Sequence, residues 1–437
     1  MTIRSINTSG LPQGVLDTVD QLLFDAGQVG GNLPFSDFSK IWQDSAGTTP
    51  YTAVEQYVGK IIDKSPNALA FTQATSAARP VVSARVNLIG NTETLTGWTG
   101  AGVAMSISGA TPWGSTEFKI TEDYSTGGHN ATFIQFPVVS VAKYTVSAVT
   151  KSAGRNSANI QALNYFISSY AAFDLTTLAV ITADGGITNK IATNISNGWV
   201  KLRFDTTKGI DGAGGNMLVQ PTMGASFSYT GDGVSGIYFA EPSVCFASRS
   251  HLPFQSVTSS SVYNTVGFPH YLKFDGIDDN IVSAAGGSGT AGIYFCGAIQ
   301  FNKVGAVQTI FSDTGTNSGY KLRLTAANQL EISAGNGTAY TAINTTDTFA
   351  VGDVALCEFW DDGTNIGVRL GEGTLVTVAR PVVAAGTAQI TIGKDNNAAS
   401  SYAGINMFEP VWRYGAMPNQ TQREAIRAIC RAKARLQ

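Results

Sequence analysis

Three aspartates in one short segment have the residue types and the spacing of a metal site. Asp275, Asp278 and Asp279 lie in the sequence Tyr-Leu-Lys-Phe-Asp-Gly-Ile-Asp-Asp at 271–279. Hard cations such as calcium bind several oxygen atoms, so these carboxylates could coordinate calcium together with backbone carbonyls. The same residues are common in turns, where an aspartate side chain accepts hydrogen bonds from its own backbone. Both interpretations stay open, and the sequence suggests no other cofactor.

Residues for nucleophilic catalysis are scarce. The sequence has three histidines, and no Gly-x-Ser-x-Gly motif places a serine at a nucleophile elbow. Two Gly-x-Gly-x-x-Gly strings, at 231–236 and 287–292, run into β-type segments rather than helices, which disfavours a dinucleotide site. The cysteines lack the spacing of a zinc site, so we expect reduced, buried thiols at Cys245, Cys296, Cys357 and Cys430. We therefore predict that the protein is not an enzyme.

Aromatic side chains in polar segments are candidates for sugar binding. Recognition of a sugar needs a flat apolar ring with polar side chains beside it. Trp199 begins a strongly alternating segment, so we interpret it as a core residue. The candidates for carbohydrate contact are Trp98, Trp113, Tyr124, His129, Trp360 and Tyr402.

The segments that carry these residues have the alternation of β-strands. Val200, Leu202 and Phe204 alternate with two basic residues. Residues 356–360 and 366–370 flank an Asp-Asp-Gly-Thr turn, which predicts a hairpin because Asp-Gly supplies the backbone conformation that such a turn requires. One-sided alternation indicates antiparallel sheets that each bury one face. The predicted fold is all-β, with two antiparallel β-sandwich domains of the jelly-roll type and short N- and C-terminal helices.

A helical pattern near the N-terminus could serve as a docking element. Residues 11–26 carry one apolar stripe, and glycines follow it. The stripe either docks on a partner or a neighbouring subunit, or packs back on its own chain. It consists of Val15, Leu16, Val19, Leu22 and Leu23.

A second helix is predicted at the C-terminus. Thr421 and Glu424 have the spacing of a capping box, and Pro418 precedes them. Residues 413–437 contain six basic residues and one acidic residue. Basic residues late in a helix complement its dipole, and contact with an acidic partner is the alternative.

The overall composition limits the class of protein. Charged residues are 14% of the 437, hydrophobic residues are 43%, and the formal net charge is −3. This composition can build cores, and its negative charge argues against nucleic-acid binding. No uncharged apolar run has the length of a membrane span, which is about 18 residues. The opening Met-Thr-Ile-Arg-Ser lacks the apolar region of a signal peptide.

Part of the chain resembles a known sandwich family. The strings Trp-Gln-Asp-Ser-Ala-Gly-Thr-Thr-Pro at 42–50, Val-Gly-Lys-Ile-Ile-Asp-Lys-Ser at 58–65 and Gln-Ala-Thr-Ser-Ala-Ala-Arg-Pro at 73–80 resemble the opening of concanavalin A-like (laminin-G-like) domains of bacteriophage structural proteins. In that family, Ala-Ala-Arg-Pro is followed shortly by a Tyr-Leu-x-Phe-Asp-Gly-x-Asp-Asp strand, which here begins about 190 residues later, at 271. Glucanases of this fold use a Glu-x-Asp-x-x-Glu strand, which this sequence lacks, so the resemblance implies no catalysis.

The intervening block resembles a second family. It contains Asn-Leu-Ile at 87–89, Thr-Gly-Trp at 96–98, Tyr-Thr-Val-Ser-Ala-Val at 144–149, Ala-Phe-Asp-Leu at 172–175, Asn-Gly-Trp at 197–199 and Gly-Val-Ser-Gly-Ile-Tyr at 233–238. This order is similar to the galactose-binding-like, carbohydrate-binding-module-like sandwiches of phage tail and fibre proteins.

The two resemblances together imply one domain inserted in a loop of another. A folded insert whose termini lie close together avoids most of the entropy cost of closing a long loop. We predict an N-terminal anchoring segment with a short helix at 1–34, a discontinuous concanavalin A-like sandwich at 35–82 and 262–437, an inserted carbohydrate-binding-module-like sandwich at 83–250, and a return linker at 251–261.

The resemblance also implies a function. We expect a non-enzymatic protein on the surface of a bacteriophage virion, as part of a tail fibre, head fibre or similar appendage, whose sandwiches bind host-surface glycans. The main alternative is a capsid decoration protein that stabilises the coat lattice without binding sugar, and a glycan hydrolase is the least favoured alternative. Expected partners are capsid, portal or tail subunits, with no nucleic acid and no membrane insertion. A homo-oligomer stays open, and the protein would be made in the host cytoplasm.

Overall fold

The chain forms two compact units. The structure is a computed structural model that describes residues 18–24, 28–139, 141–164, 169–207, 214–259, 261–283, 285, 292–386, 389–396, 398 and 400–436. Unit 1 consists of Met1–Ala84 and Pro269–Gln437, and unit 2 consists of Arg85–Phe268. Unit 1 is therefore discontinuous in sequence, and unit 2 is continuous.

The described part of the first segment of unit 1 contains one α-helix, two short 3-10 helices (Phe38–Lys40 and Ser76–Ala78) and five short strands. The α-helix and the strands are α1 (Thr18–Phe24), β1 (Gly30–Asn32), β2 (Ile41–Trp42), β3 (Lys60–Ile62), β4 (Ala70–Thr72) and β5 (Val81–Ser83).

Unit 2 contains fourteen described strands. They are β6 (Trp98–Ala101), β7 (Val103–Ala110), β8 (Thr116–Glu122), β9 (Thr126–Gly128), β10 (Asn130–Phe136), β11 (Lys143–Ala153), β12 (Ser157–Leu163), β13 (Ser169–Asp174), β14 (Val180–Ala183), β15 (Thr188–Ser196), β16 (Trp199–Thr207), β17 (Gly215–Pro221), β18 (Ser228–Thr230) and β19 (Gly236–Phe246).

The second segment of unit 1 completes the chain. It contains β20 (Tyr271–Lys273), β21 (Ile281–Ser283), β22 (Ile293–Phe301), β23 (Gln308–Ser312), β24 (Ser318–Leu324), β25 (Gln329–Asn336), β26 (Tyr340–Thr348), β27 (Val354–Asp361), β28 (Asn365–Leu370), β29 (Val376–Ala379), β30 (Ile390–Ile392), β31 (Ile405–Tyr414) and α2 (Gln420–Ala434).

Each unit is an antiparallel β-sandwich of the predicted jelly-roll class. In unit 1, an eight-stranded sheet has the order β29-β28-β27-β22-β31-β20-β5, with β1 also paired to β31, and a nine-stranded sheet has the order β2-β3-β4-β21-β30-β23-β24-β25-β26. In unit 2, two six-stranded sheets have the orders β14-β13-β12-β17-β10-β6 and β15-β16-β11-β19-β8-β7, and β18 pairs with β9. Both segments of unit 1 contribute to both of its sheets.

The alternation of the sequence accounts for the core of each sandwich. Leu202 and Phe204 of β16 are fully buried in unit 2, while Lys201 and Arg203 lie on the other face.

In unit 1, the Tyr320 hydroxyl on β24 donates to Asp361 on β27 at 2.6 Å, which joins the two sheets through the core. The Arg380 guanidinium donates to the same carboxylate at 2.8 Å, so this buried charge has partners on both sides.

One sheet departs from the expected one-sided burial. All residues of β22 and β31 are buried, because the helices cover the outer face of the eight-stranded sheet. Ile426 and Cys430 of α2 pack there with Val19 and Leu23 of α1. The expectation that each sheet buries one face is wrong for these strands. None of the described helices is long and apolar enough to cross a membrane.

The C-terminal helix begins with a different cap from the predicted one. Asn419 is the N-cap: its side chain accepts from the Gln422 backbone N–H at 2.9 Å, and the Gln422 side chain accepts from the Asn419 N–H at 2.9 Å. Thr421 is the second helical residue and therefore cannot cap. The predicted box at Thr421 and Glu424 is wrong by two residues.

Arg427 and Lys433 of this helix form ion pairs within unit 1. Arg427 is buried and donates to Glu358 at 2.9 Å and to Glu372 at 3.1 Å, and the Lys433 ammonium lies 3.3 Å from Glu409. Carboxylates of unit 1 therefore neutralise much of the local positive charge, in addition to any interaction of these residues with the helix dipole.

The segment predicted as a return linker is part of unit 2. The Thr92 backbone N–H donates to the Val257 carbonyl at 2.8 Å, and the Val257 N–H donates to the Thr92 hydroxyl at 2.8 Å. The Gln255 side chain accepts from the Val86 N–H at 2.7 Å. Gln255 and Val257 therefore belong to unit 2, which extends to Phe268, rather than to a link between the units.

Candidate functional site

Trp113 lies at the tip of a tight turn between β7 and β8. The turn is Thr111-Pro112-Trp113-Gly114, in which the Gly114 N–H donates to the Thr111 carbonyl at 3.0 Å. Proline favours the second position of such a turn, and glycine the fourth. This sequence therefore places a large aromatic ring at the surface, and Trp113 is 38% exposed.

Glu241 and Trp199 hold the Trp113 ring in place. The indole N–H of Trp113 donates to the Glu241 carboxylate at 2.6 Å, and the Ser115 hydroxyl donates to the same oxygen at 2.8 Å. The Trp113 ring meets the buried Trp199 ring edge to face, with centroids 5.8 Å apart. We call Trp113, Ser115, Glu241 and Trp199 the Trp113 platform. Its exposed ring is fixed by a hydrogen bond and by aromatic packing, so little side-chain entropy is left to lose on binding.

The backbone conformation at Glu241 directs its carboxylate towards the Trp113 turn. Glu241 has a φ of 51°, in the left-handed region that non-glycine residues rarely adopt. It lies at the bulge where the register between β11 and β19 shifts, between Ser147 and Val149. Bulges re-aim a side chain out of the regular alternation, and here the carboxylate reaches the Trp113 turn. Nothing in the sequence points to this role of Glu241, because an isolated glutamate in a strand carries no signal of a bulge.

Two basic side chains lie near Trp199 and the neighbouring Tyr238. The Lys151 ammonium lies 5.8 Å from the centres of both the Trp199 and the Tyr238 ring, and the Lys119 ammonium lies 5.9 Å from that of Tyr238. The expected core position of Trp199 agrees with its 1% exposure. The arrangement offers an apolar ring face with carboxylate, hydroxyl and ammonium groups beside it.

Two other candidates in unit 2 are buried. Trp98 packs against Phe133 and Phe239 in the core, and its indole N–H donates to the Asn91 carbonyl at 3.2 Å. His129 is fully buried, with its ring nitrogens 2.7 and 3.1 Å from the carbonyl oxygens of Gly102 and Tyr229. Neither side chain can present a surface to a sugar.

Tyr124 is the most exposed of the candidates. It is 76% exposed, and its ring lies directly over Gly233, where an added Cβ would come within 2.4 Å of it. Gly233 has a φ of +73°. Its neighbours differ from those of Trp113, so the structure does not join the two rings into one site.

The candidates in unit 1 differ from one another. Trp360 is 6% exposed, and the Arg423 guanidinium of α2 lies 5.3 Å from its ring centre. Helix α2 therefore covers Trp360, and the prediction that this ring contacts a sugar is wrong. Tyr402 is half-buried, with the Lys394 ammonium 5.2 Å from its ring centre.

The three aspartates of the predicted calcium site do come together. Asp275, Asp278 and Asp279 each offer an oxygen within 4.8 Å of the others. The Asp279 carboxylate accepts from the Asp275 N–H at 2.9 Å, and the Asp275 carboxylate accepts from the Ile277 N–H at 2.7 Å. These bonds are the turn contacts that the alternative interpretation expects. Calcium at this cluster stays a prediction.

The predicted docking stripe is only partly described. Val15 and Leu16 lie outside the described residues. Val19 is 5% exposed and Leu23 is 0% exposed, and both pack against α2 and the eight-stranded sheet, with Leu22 partly buried beside them. For these residues the structure shows the alternative, packing on the same chain, so Val19 and Leu23 are not open to a partner.

The chain has partial structural similarity to several known proteins. Neither a known protein family nor a curated protein matches the sequence. Among solved structures, the chain is similar to the receptor-binding domain of botulinum neurotoxin type G (12% identity, TM-score 0.29, covering 37% of this chain and 42% of that one). It is also similar to the SAP-like pentraxin of Limulus polyphemus (13%, 0.26, 32% and 70%) and to the carbohydrate-binding module CBM66 of Bacillus subtilis (10%, 0.22, 34% and 83%).

These similarities are partial. The alignment spans about two fifths of the neurotoxin domain. TM-scores below 0.5 do not establish a common fold, so the sandwich assignment rests on the strand pairing of the chain itself.

Proposed function

We propose that this protein is a non-enzymatic adhesion protein that binds host-surface glycans through the Trp113 platform of unit 2. It would be carried on the surface of a bacteriophage particle, as part of a tail or head fibre. The observation that supports glycan binding is the Trp113 ring, which is 38% exposed and is nevertheless fixed by Glu241 and Trp199. The virion location is supported by the sequence resemblance alone.

The chemistry of the platform suits a sugar. One face of a sugar ring presents C–H groups that pack against an aromatic ring, while its hydroxyls need donors and acceptors at the edge. Ser115 and Glu241 supply these at the edge of the indole. Because Glu241 fixes the ring in the free protein, little side-chain entropy is lost when a sugar binds.

Binding to a glycan array followed by titration of the best glycan tests the platform. We expect Trp113→Ala to weaken binding more than about tenfold, the effect of removing an aromatic anchor from a binding surface, and Trp113→Phe to weaken it less. Glu241→Gln, which retains one acceptor, should fall between wild type and Trp113→Ala.

Tyr124→Ala is the matched control, because it removes another exposed ring of the same unit. We expect it to bind like wild type. A blank array with folded wild-type protein, or full binding by Trp113→Ala, would overturn the proposed site.

Imaging of the intact particle tests the location. A low copy number at one vertex or on the tail supports a fibre whose partners are portal or tail subunits. Hundreds of copies that follow the coat lattice would instead identify a capsid decoration protein, and absence from purified particles would overturn the virion role.

A further inference from the structure

Unit 2 contains an open polar cavity that the Trp113 platform does not use. Its volume is about 370 Å³, and it is formed where three turns meet at one end of the sandwich. The turns are 154–157 between β11 and β12, 174–181 between β13 and β14, and 222–224 after β17. We call this cavity the end groove. Its volume is within the range of small-molecule sites.

The walls of the end groove are held by hydrogen bonds between the turns. The Leu175 N–H donates to the Asn156 carbonyl at 2.8 Å, which ties the second turn to the first. The Gly224 N–H donates to the Ser157 hydroxyl at 3.2 Å, which ties the third turn to the first. Met223 is 50% exposed, and its backbone exchanges two hydrogen bonds with Ser226 in a tight turn. The groove is therefore formed before any ligand arrives.

The charge of the groove excludes one class of ligand. Arg155 is the cation among its described lining residues, and its Nε and Nη2 donate to the two oxygens of the buried Glu122. Asp232 lies 3.4 Å from the same guanidinium, and these carboxylates raise the pKa of Arg155. Asp174 also lines the groove, so among the described lining residues no positive charge lacks a nearby carboxylate, and we expect an anionic ligand to be repelled.

The remaining polar atoms suit hydroxyl groups. The Ser152 hydroxyl donates to the Asn156 amide oxygen at 2.9 Å, which orients the amide so that its NH₂ group points away from Ser152. The Asp174 carboxylate accepts from the Thr176 and Thr177 N–H groups through Oδ1, both at 2.8 Å, and the Thr177 hydroxyl also bonds to it. A carboxylate has about four acceptor sites, so Asp174 can still accept from a ligand hydroxyl. An amide donor and a carboxylate acceptor at one wall match a pair of neighbouring hydroxyls, which both donate and accept. Met223 and Ile181 add apolar surface.

We propose that the end groove binds a neutral saccharide through a pair of neighbouring hydroxyls, as a second site of unit 2 in addition to the Trp113 platform. The proposal rests on glycan binding as the proposed function, but it uses none of the platform residues. Asn156 and Asp174 hold the hydroxyls, and Met223 packs against the C–H face of the ring.

The methyl group of Met223 gives a direct readout. Full-length protein labelled with ¹³C at methionine methyls is titrated with galactose, glucose, mannose and N-acetylglucosamine, and separately with N-acetylneuraminic acid and inorganic phosphate. The Met223 signal is assigned with Met223→Leu. We expect at least one neutral sugar to shift this signal with saturation, and neither anion to shift it.

Two variants locate the binding. Asn156→Ala should weaken the sugar that shifts Met223 about tenfold or more, which corresponds to about 1.4 kcal/mol. Asn194→Ala, an exposed asparagine of β15 outside the groove, is the matched control and should leave the shift unchanged.

Three results would overturn the inference. One is no shift by any of the four neutral sugars at about 50 mM, where a ligand with a millimolar Kd is already bound. Another is a shift by an anion alone. The last is loss of the Met223 shift in Trp113→Ala, which would show that the groove is no separate subsite. Loss of array binding in Trp113→Ala with the Met223 shift retained supports both proposals, and failure of only one of the two readouts identifies which site is wrong.

Discussion

The stability of the folded protein should depend on pH through Asp279. Burial, together with the charges of Asp275 and Asp278, raises the pKa of Asp279 to about 7 from its ordinary value of 3.8. Between these values the folded chain keeps a proton that the unfolded chain has lost. The free energy of unfolding therefore falls as the pH rises from about 4 to about 7, and this contribution is lost above pH 7. We expect the melting temperature to fall over this range, measured by circular dichroism.

Asp279→Asn should remove most of this slope, because its amide cannot ionise and can still accept from the Asp275 N–H. Asp362→Asn, at an exposed turn aspartate of the same unit, is the control and should keep the slope of wild type. An unchanged slope in Asp279→Asn would contradict the assignment. Calcium, if the cluster binds it, would favour the ionised form and raise the melting temperature of wild type at pH 8 more than at pH 4.

At the residue scale, the sequence predicts which side chains lie close together better than it predicts which side chains are exposed. The spacing of Asp275, Asp278 and Asp279 was enough to bring them together, because they occupy one turn. The exposure of Trp113 follows from a local signal, the Pro-Trp-Gly turn. The burial of Trp360 does not, because its cover is α2, which lies some sixty residues further along the chain. Glu241 acts through a bulge that only the paired strand defines.

At the scale of elements, mutation can test the N-cap of α2. The sequence allows a cap at Asn419 or at Thr421, and the structure uses Asn419. Asn419→Ala removes the acceptor for the Gln422 N–H and should destabilise the protein by about 1 kcal/mol. Thr421→Ala, at the residue that the sequence pattern selected, should change the stability by much less, because Thr421 is already inside the helix. Urea unfolding of both variants, with equal m-values, measures the difference. A larger loss from Thr421→Ala would show that the helix begins two residues later.

The strands were more predictable than the caps, for a physical reason. Alternation with a period of two is repeated over a whole strand, as in β16, so one ambiguous residue does not change the assignment. The hairpin of β27 and β28 also follows from its local turn, in which Gly363 has a φ of +89°. A capping box depends on two residues, and here Asn419 with Gln422 and Thr421 with Glu424 both fit the spacing. The complete burial of β22 and β31 could not be predicted from their own sequences. It depends on which face of the sheet the helices cover.

At the scale of the whole molecule, the strand pairing shows how one unit can interrupt the other. β5 and β20 are antiparallel neighbours in the eight-stranded sheet, with Ser83 opposite Tyr271 and Val82 opposite Leu272. The Ser83 hydroxyl donates to the Tyr271 hydroxyl at 3.1 Å. The two chain ends that flank unit 2 therefore leave unit 1 side by side, at the separation that a hairpin turn can close. The sequence strings predict an insertion, and the register shows that the two ends of the inserted unit leave unit 1 side by side.

This register predicts that the two units fold separately. Replacing 85–268 with a short Asn-Gly-containing turn should leave unit 1 folded, since the new hairpin closes a loop far shorter than the natural one. Residues 85–268 expressed alone should also fold, because their two sheets and core are complete within unit 2. We expect each piece to melt in one cooperative transition by calorimetry, with the two transitions of the full chain reproduced. If the shortened unit 1 aggregates, then unit 1 requires unit 2 for folding, and the prediction that the two units fold separately is wrong.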